Sequence, residues 1–200
     1  MSGHTVTHGS TSPTDIALDK WRLVQAMAVS YGTESPELQQ LVRREIASAP
    51  SAADKQVEVW ECFCMDLPYR REAGEFLANP LHTAKHGGDC DDLVLLFLAG
   101  CVSLGIPCEP EMVCDTEGWP FHIRAKVGLP PLNPTHTYYV DPVCWSEREW
   151  SMSGKTPETD PARTVVITPA PESGGAVWLL MLGVALGLSA NKIKSLWGKS

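Results

Sequence analysis

Between Leu93 and Leu104 the chain carries a single polar residue, Ser103, and apolar side chains occupy every face of the helix that this run predicts. Leu93, Leu96, Phe97, Gly100, Cys101 and Leu104 recur at helical spacing, while Val94, Leu95, Leu98 and Val102 fill the opposite side. A helix apolar all round is a buried one. Asp89 stands where an N-cap belongs, and Gly105 and Pro107 end the run. Upstream, three amphipathic patterns predict shorter helices. The first carries Ala17, Trp21, Val24, Ala28 and Tyr31 on one face, with Thr14 and Asp15 as caps and Gly32 past its end. The second opens at Ser35-Pro36-Glu37 and lines Leu38, Leu41, Val42 and Ile46 along one side. The third has Val57, Trp60, Cys64 and Leu67 inward, with Ser51 and Asp54 spaced as a capping box.

After Pro107 the period changes from helical to alternating, weakly over 108–115 and plainly over 121–127. Phe121, Ile123, Ala125 and Val127 are expected to face a core, with His122, Arg124 and Lys126 on a polar face. The run 137–141 reads as the partner strand. A hairpin symmetric about the midpoint between Pro131 and Leu132 sets His122 directly across from Asp141, with Cβ atoms about 4.5–5.5 Å apart. A one-residue slip would turn one of the two to the other side of the sheet.

Helices followed by a small antiparallel sheet indicate an α+β fold. The domain is expected over 14–150, after a Ser/Thr/Gly/His-rich tail at 1–13, and the irregular stretch from Leu67 to Gly88 carries the chain onto the central helix. Residues 151–174 read as a linker apart from a candidate edge strand at Thr164-Val165-Val166-Ile167. Over 175–197 an apolar helix is expected, uncharged as far as Ala190 and followed by Lys192, Lys194 and Lys199. The uncharged part would be about 24 Å long against a hydrocarbon core of roughly 30 Å. It is either a membrane anchor or a helix buried in an assembly such as a virion, and Gly183 and Gly187 offer a weak packing motif.

A net charge of −8, with scattered lysines and arginines, argues against nucleic acid as a partner. Seven cysteines and no Cys-x-x-Cys pair, together with an N-terminus lacking a secretory pattern, suit a reduced compartment, cytoplasmic or virion-associated. Most of these thiols sit in apolar segments and read as core residues.

Cys90 differs from them, because the Gly87-Gly88 pair delivers it to the mouth of the central helix. Unpaired N–H groups and the helix dipole there favour a thiolate, while the charges of Asp91 and Asp92 oppose one. A nucleophilic cysteine needs a base, and the base needs an acceptor that fixes its ring. Cys90, His122 and Asp141 complete such a set. The competing reading is a core cysteine, a strand-surface histidine and a turn-forming aspartate. A zinc site from His82, His86 and Cys90 is disfavoured, since Gly87 and Gly88 interrupt the helix that would align them. No cofactor or metal is expected.

Gly88-Asp89-Cys90-Asp91-Asp92, then Leu104-Gly105-Ile106-Pro107, then Phe121-His122-Ile123, then Val140-Asp141-Pro142 resemble, in order, the motifs of the transglutaminase-like cysteine-protease superfamily. Compact versions with Asp-Cys-Asp-Asp occur in bacteria and tailed phages. The resemblance covers Glu37 to about Val143 and includes an upstream Pro68-Tyr69-Arg70. It implies a papain-like fold, with the cysteine helix packed on an antiparallel sheet that bears the histidine and aspartate. It also implies acyl transfer or hydrolysis at an amide of a peptide or protein, with Cys90, His122 and Asp141 as the catalytic residues. The backbone N–H of Cys90 would serve the oxyanion, with Trp119 and Asp89 as candidates for the rim. Arg124 stands where the family often has an aromatic residue. The alternatives are a structural or adaptor module of a phage particle or membrane complex, and a papain-like cell-wall peptidase. Those peptidases usually carry a histidine as the third polar residue and lack the Gly-Ile-Pro segment.

Overall fold

The computed structural model describes residues 3–5, 12–71, 76–115, 117–143 and 165–167. Its elements run β1 (Gly3–Thr5), α1 (Pro13–Glu34), α2 (Pro36–Glu45), a 3-10 turn (Ile46–Ser48), α3 (Ala53–Met65), β2 (Phe76–Ala78), α4 (Pro80–His86), α5 (Cys90–Ser103), β3 (Cys108–Cys114), β4 (Pro120–Leu129), β5 (His136–Val140) and β6 (Val165–Ile167). The fold is α+β. Helix α5 is the apolar run, buried without interruption from Asp91 to Val102. Helices α1 to α4 surround it, and β3 and β4 close the remaining side. Each fully buried leucine or phenylalanine of α5 contributes about 1.5–3 kcal/mol of transfer free energy.

Close approach to α5 depends on missing side chains. A Cβ on Gly100 would lie 2.1 Å from the Trp60 indole nitrogen, and that indole donates to the Phe97 carbonyl at 3.0 Å. A Cβ on Gly32 would meet the Ala99 carbonyl and the Val102 side chain at 2.6 Å, so α1 lies directly on α5. Helix α5 ends in a Schellman arrangement. The Ile106 N–H reaches the Cys101 carbonyl, the Gly105 N–H reaches that of Val102, and Gly105 has φ of 69°.

Several helix starts differ from expectation. Ser12, rather than Thr14 or Asp15, occupies the N-cap of α1, and the Pro13 ring opens the helix without a side-chain cap. Ser35 caps α2 through the Leu38 N–H at 3.2 Å, whereas the Ser51/Asp54 capping box is absent and Ala52 precedes α3. Gly3–Thr5, within the stretch expected as a tail, pairs antiparallel with β2.

The main sheet is antiparallel with order β5-β4-β3-β6, and Val165–Ile167 forms its outer strand on the β3 side. Alternation along β4 works as expected from Ile123 to Val127, whose odd-numbered positions are buried against α5. Two features depart from the expected hairpin. Its symmetry point lies between Leu132 and Asn133, since Ala125 pairs with Val140 and Leu129 with His136. His122 and Asp141 are therefore diagonal rather than directly opposed, but a slip of two keeps them on one face. Second, Val113 pairs with His122 and Cys114 with Pro120, which leaves Phe121 as a bulged residue. The ring expected in the core is turned out and is 50% exposed.

Beyond 165–167, the linker expected over 151–174 and the apolar helix over 175–197 lie outside the described residues. Among the described residues no helix is long and apolar enough to cross a membrane.

Candidate active site

One half of the site is built by the β4–β5 hairpin. The His122 Nε2–H donates to Asp141 Oδ2 at 2.6 Å, with only 4% and 16% of the two side chains exposed. Asp141 follows the last residue of β5, and its Oδ1 accepts the Val143 N–H at 3.1 Å, so the carboxylate is fixed from both ends. A neutral imidazole with its proton on Nε2 presents Nδ1 as the basic nitrogen. Along the same face, opposed pairs join Arg124 to Glu111 and Lys126 to Glu109, and the Arg124 guanidinium lies 4.5 Å over the Tyr139 ring. An aromatic ring thus reaches the Arg124 position from the neighbouring strand.

The other half is the mouth of α5. Gly87 has φ of 75°, and a Cβ there would lie 1.8 Å from the Pro68 carbonyl oxygen. Gly88 accepts from the Arg70 N–H at 2.8 Å and bridges in parallel to Tyr69. A Cβ on Gly88 would stand 2.5 Å from the Asp92 carboxylate. The glycine pair is therefore needed on both sides, by Pro68 behind it and by Asp92 in front.

Asp89 occupies the N-cap position but gives no side-chain cap, contrary to the sequence expectation. Burial and a hydrogen bond with Asp91 push its carboxyl up to about 9, so it is protonated at neutral pH and donates to Asp91 rather than accepting from the helix. Asp91 goes the other way. Burial alone would raise it, but the bond from Asp89 and the Lys20 ammonium at 2.8 Å hold it ionised below the ordinary carboxylate range. Asp92 accepts the Ala78 N–H at 2.7 Å.

Cys90 is half-buried at the first turn of α5. The helix dipole favours ionisation of this thiol and its acidic neighbours oppose it, and the opposing causes prevail. Burial first, then the charges of Asp91 and Asp89, push the thiol well above its ordinary value, while Lys20 pulls it down and Asp141 adds to the rise.

The structure thus brings His122 and Asp141 into contact and places Asp89, Cys90 and Asp91 with an oxygen, the sulfur and an oxygen within 4.8 Å of one another. The cation paired with that acidic group is Lys20. Trp119 lies in the β3–β4 turn, half-exposed, and its backbone N–H is used by Asp115 Oδ1 at 2.9 Å. Lys20 escaped the sequence reading, although one signal was present: it sits three residues after Ala17 and beside Trp21, on the border of the buried stripe of α1.

No family model matches the chain, and no curated protein matches it. Among solved structures it is similar to a "putative protease" from Parabacteroides distasonis, with a TM-score of 0.46 and 11% identity, over 59% of this chain and 26% of that one. The chain spans about a quarter of that protein's length. A likeness at this level carries no argument about chemistry, which rests on the residues themselves.

Proposed function

We propose that this domain is a thiol enzyme of transglutaminase-like type that acts on an amide of a peptide or protein through Cys90, His122 and Asp141. The observation that carries the reading is the buried His122–Asp141 pair, a histidine whose tautomer and ring plane are fixed by a carboxylate. The packing of α5 on β4 supports it, because the helix that begins with Cys90 lies against the strand that bears His122. A carboxylate at Nε2 also favours this class over cell-wall peptidases with a histidine in that role.

The raised thiol shapes the mechanism. A preformed thiolate–imidazolium pair is disfavoured, so His122 Nδ1 takes the Cys90 proton as the sulfur–carbon bond forms. The backbone N–H of Cys90 receives the developing oxyanion. His122 then passes its proton to the leaving amine as the carbon–nitrogen bond breaks, which leaves a thioester on Cys90. Water or a second amine, deprotonated by His122, attacks that thioester and releases the thiol.

The test is acylation by a peptide library read as a mass increase on intact protein, with the modified cysteine mapped. The expected adduct is on Cys90, and His122→Ala should slow its formation by about 10²–10⁴-fold. Acylation that survives Cys90→Ala, or that falls on the exposed Cys62, would remove the proposal.

The raised thiol also favours a second reading, a structural or adaptor module that keeps the fold without turnover. In that case no library member acylates Cys90, and Cys90→Ala preserves assembly with the module's partners.

A further inference from the structure

Three carboxyl groups act on the thiol, Asp91 and Asp89 at the start of α5 and Asp141 after β5, with Asp92 next along the helix, and the charges of the three oppose a thiolate. The fold disposes of them separately. Asp92 turns to the Ala78 N–H, and Asp141 is engaged by His122. Asp89 and Asp91 each bury an Oδ1 that takes no donor from elsewhere among the described residues, and the two carboxyls share one proton between them. One negative charge remains on Asp91. It meets the Lys20 ammonium at 2.8 Å, in a pair whose side chains are 12% and 3% exposed.

We propose that Lys20 is a positioning residue that neutralises the acidic mouth of α5 and so makes the Cys90 thiol able to give up its proton to His122. Lys20 belongs to α1, far from Cys90 in sequence, and its ammonium is held in place by Asp91 rather than by solvent. Inside a partly desolvated cluster a unit charge acts more strongly than on an open surface. The pair therefore does two things: it docks α1 against the start of α5, and it cancels the charge that most opposes the nucleophile. The inference rests on Cys90 being the nucleophile proposed above, but it is read on the thiol and not on turnover.

The experiment is alkylation of the full chain by iodoacetamide across a pH series, with Cys90 and the exposed Cys62 quantified together by mass spectrometry. Lys20→Met should lower the Cys90 to Cys62 ratio about tenfold at a given pH, the effect of one pK unit, and move the Cys90 profile to higher pH. Lys20→Arg should restore both. To separate charge from fold, the same change is made in an Asp91→Asn background, where the Lys20–Asp91 pair is already gone and exchanging a buried pair for neutral groups is tolerated. There too Lys20→Met should slow Cys90. An unchanged ratio and profile in that background, with helix content intact by circular dichroism, would overturn the proposal. Slow alkylation of Lys20→Met in a protein that turns over no amide would keep this inference and retire the enzymatic one. Turnover through Cys90 with no effect of Lys20 would do the reverse.

Discussion

The two halves of the candidate site are held in place by different physics. At the hairpin, position is set by strand parity: His122 and Asp141 meet because alternate residues share a face, and the pair forms even though the register lies two residues from the symmetric expectation. At the mouth of α5, position is set by steric exclusion and charge balance. Two glycines admit Pro68 and Asp92, and a lysine from another helix offsets the acid beside the thiol. The first kind of construction tolerates errors that come in pairs. The second depends on single residues contributed from a distance.

That contrast can be broken first at Gly88. An alanine there drives a methyl into the Asp92 carboxylate and displaces it from the Ala78 N–H, breaking a buried hydrogen bond. A loss of about 3 kcal/mol is expected in urea unfolding, with the His122 Nε2 proton still hydrogen-bonded by NMR. A loss below about 1 kcal/mol, within the range of an ordinary surface change, would show that the mouth re-forms without this contact.

A smaller effect is expected at Asp89, and it carries a sign. Its folded carboxyl is raised to about 9, against about 3.9 for a free aspartate, so the folded state holds a proton that the unfolded state has released. Its contribution to stability is therefore greatest in acid and is lost as pH rises from about 4 towards 9. Asp91 has the opposite slope, because its lowered carboxyl contributes stability that is lost as pH falls. Asp89→Asn keeps a donor to Asp91 without titrating. Relative to the parent it should gain nothing near pH 4 and about 1–2 kcal/mol by pH 9, after allowance for solvent and for coupling to Asp91. Thermal melts over that range check it, and a gap that widens towards acid would contradict the shared proton.

The smallest effect belongs to the hairpin half. Lys126 and Glu109 pair at 2.8 Å with about a third of each side chain exposed, so Lys126→Ala should cost below about 1 kcal/mol. The cost should shrink further in high salt. A larger cost would mean that the hairpin, too, is balanced by charge.

Legibility in the sequence followed the same division. The all-apolar helix was readable because nothing else buries ten consecutive residues, Leu93 to Val102, on every face, and the shared face of His122 and Asp141 followed from period two. What escaped depends on contacts across the chain. The bulge at Phe121 is set by pairing with Val113 and Cys114, and no pattern within β4 announces it. The rise of the Cys90 thiol comes from burial and from the charges of Asp91 and Asp89, which the fold sets beside it. Lys20 was visible only as a charge at the border of an apolar stripe, an ordinary place for a lysine to run its stem along the core.

The bridge between Tyr69 and Gly88 has a consequence for how such a domain can diversify. The chain leaves the scaffold at Pro68 and returns to almost the same point at Gly88, and between them it is held by Asp92 at Ala78, by β1 along β2 and by the packing of α4 on α5. A segment whose two ends meet can be lengthened at little cost in closure entropy. The exposed residues of that segment, Lys85 and His86 among them, can therefore change while Pro68, Ala78 and Gly88 keep their places.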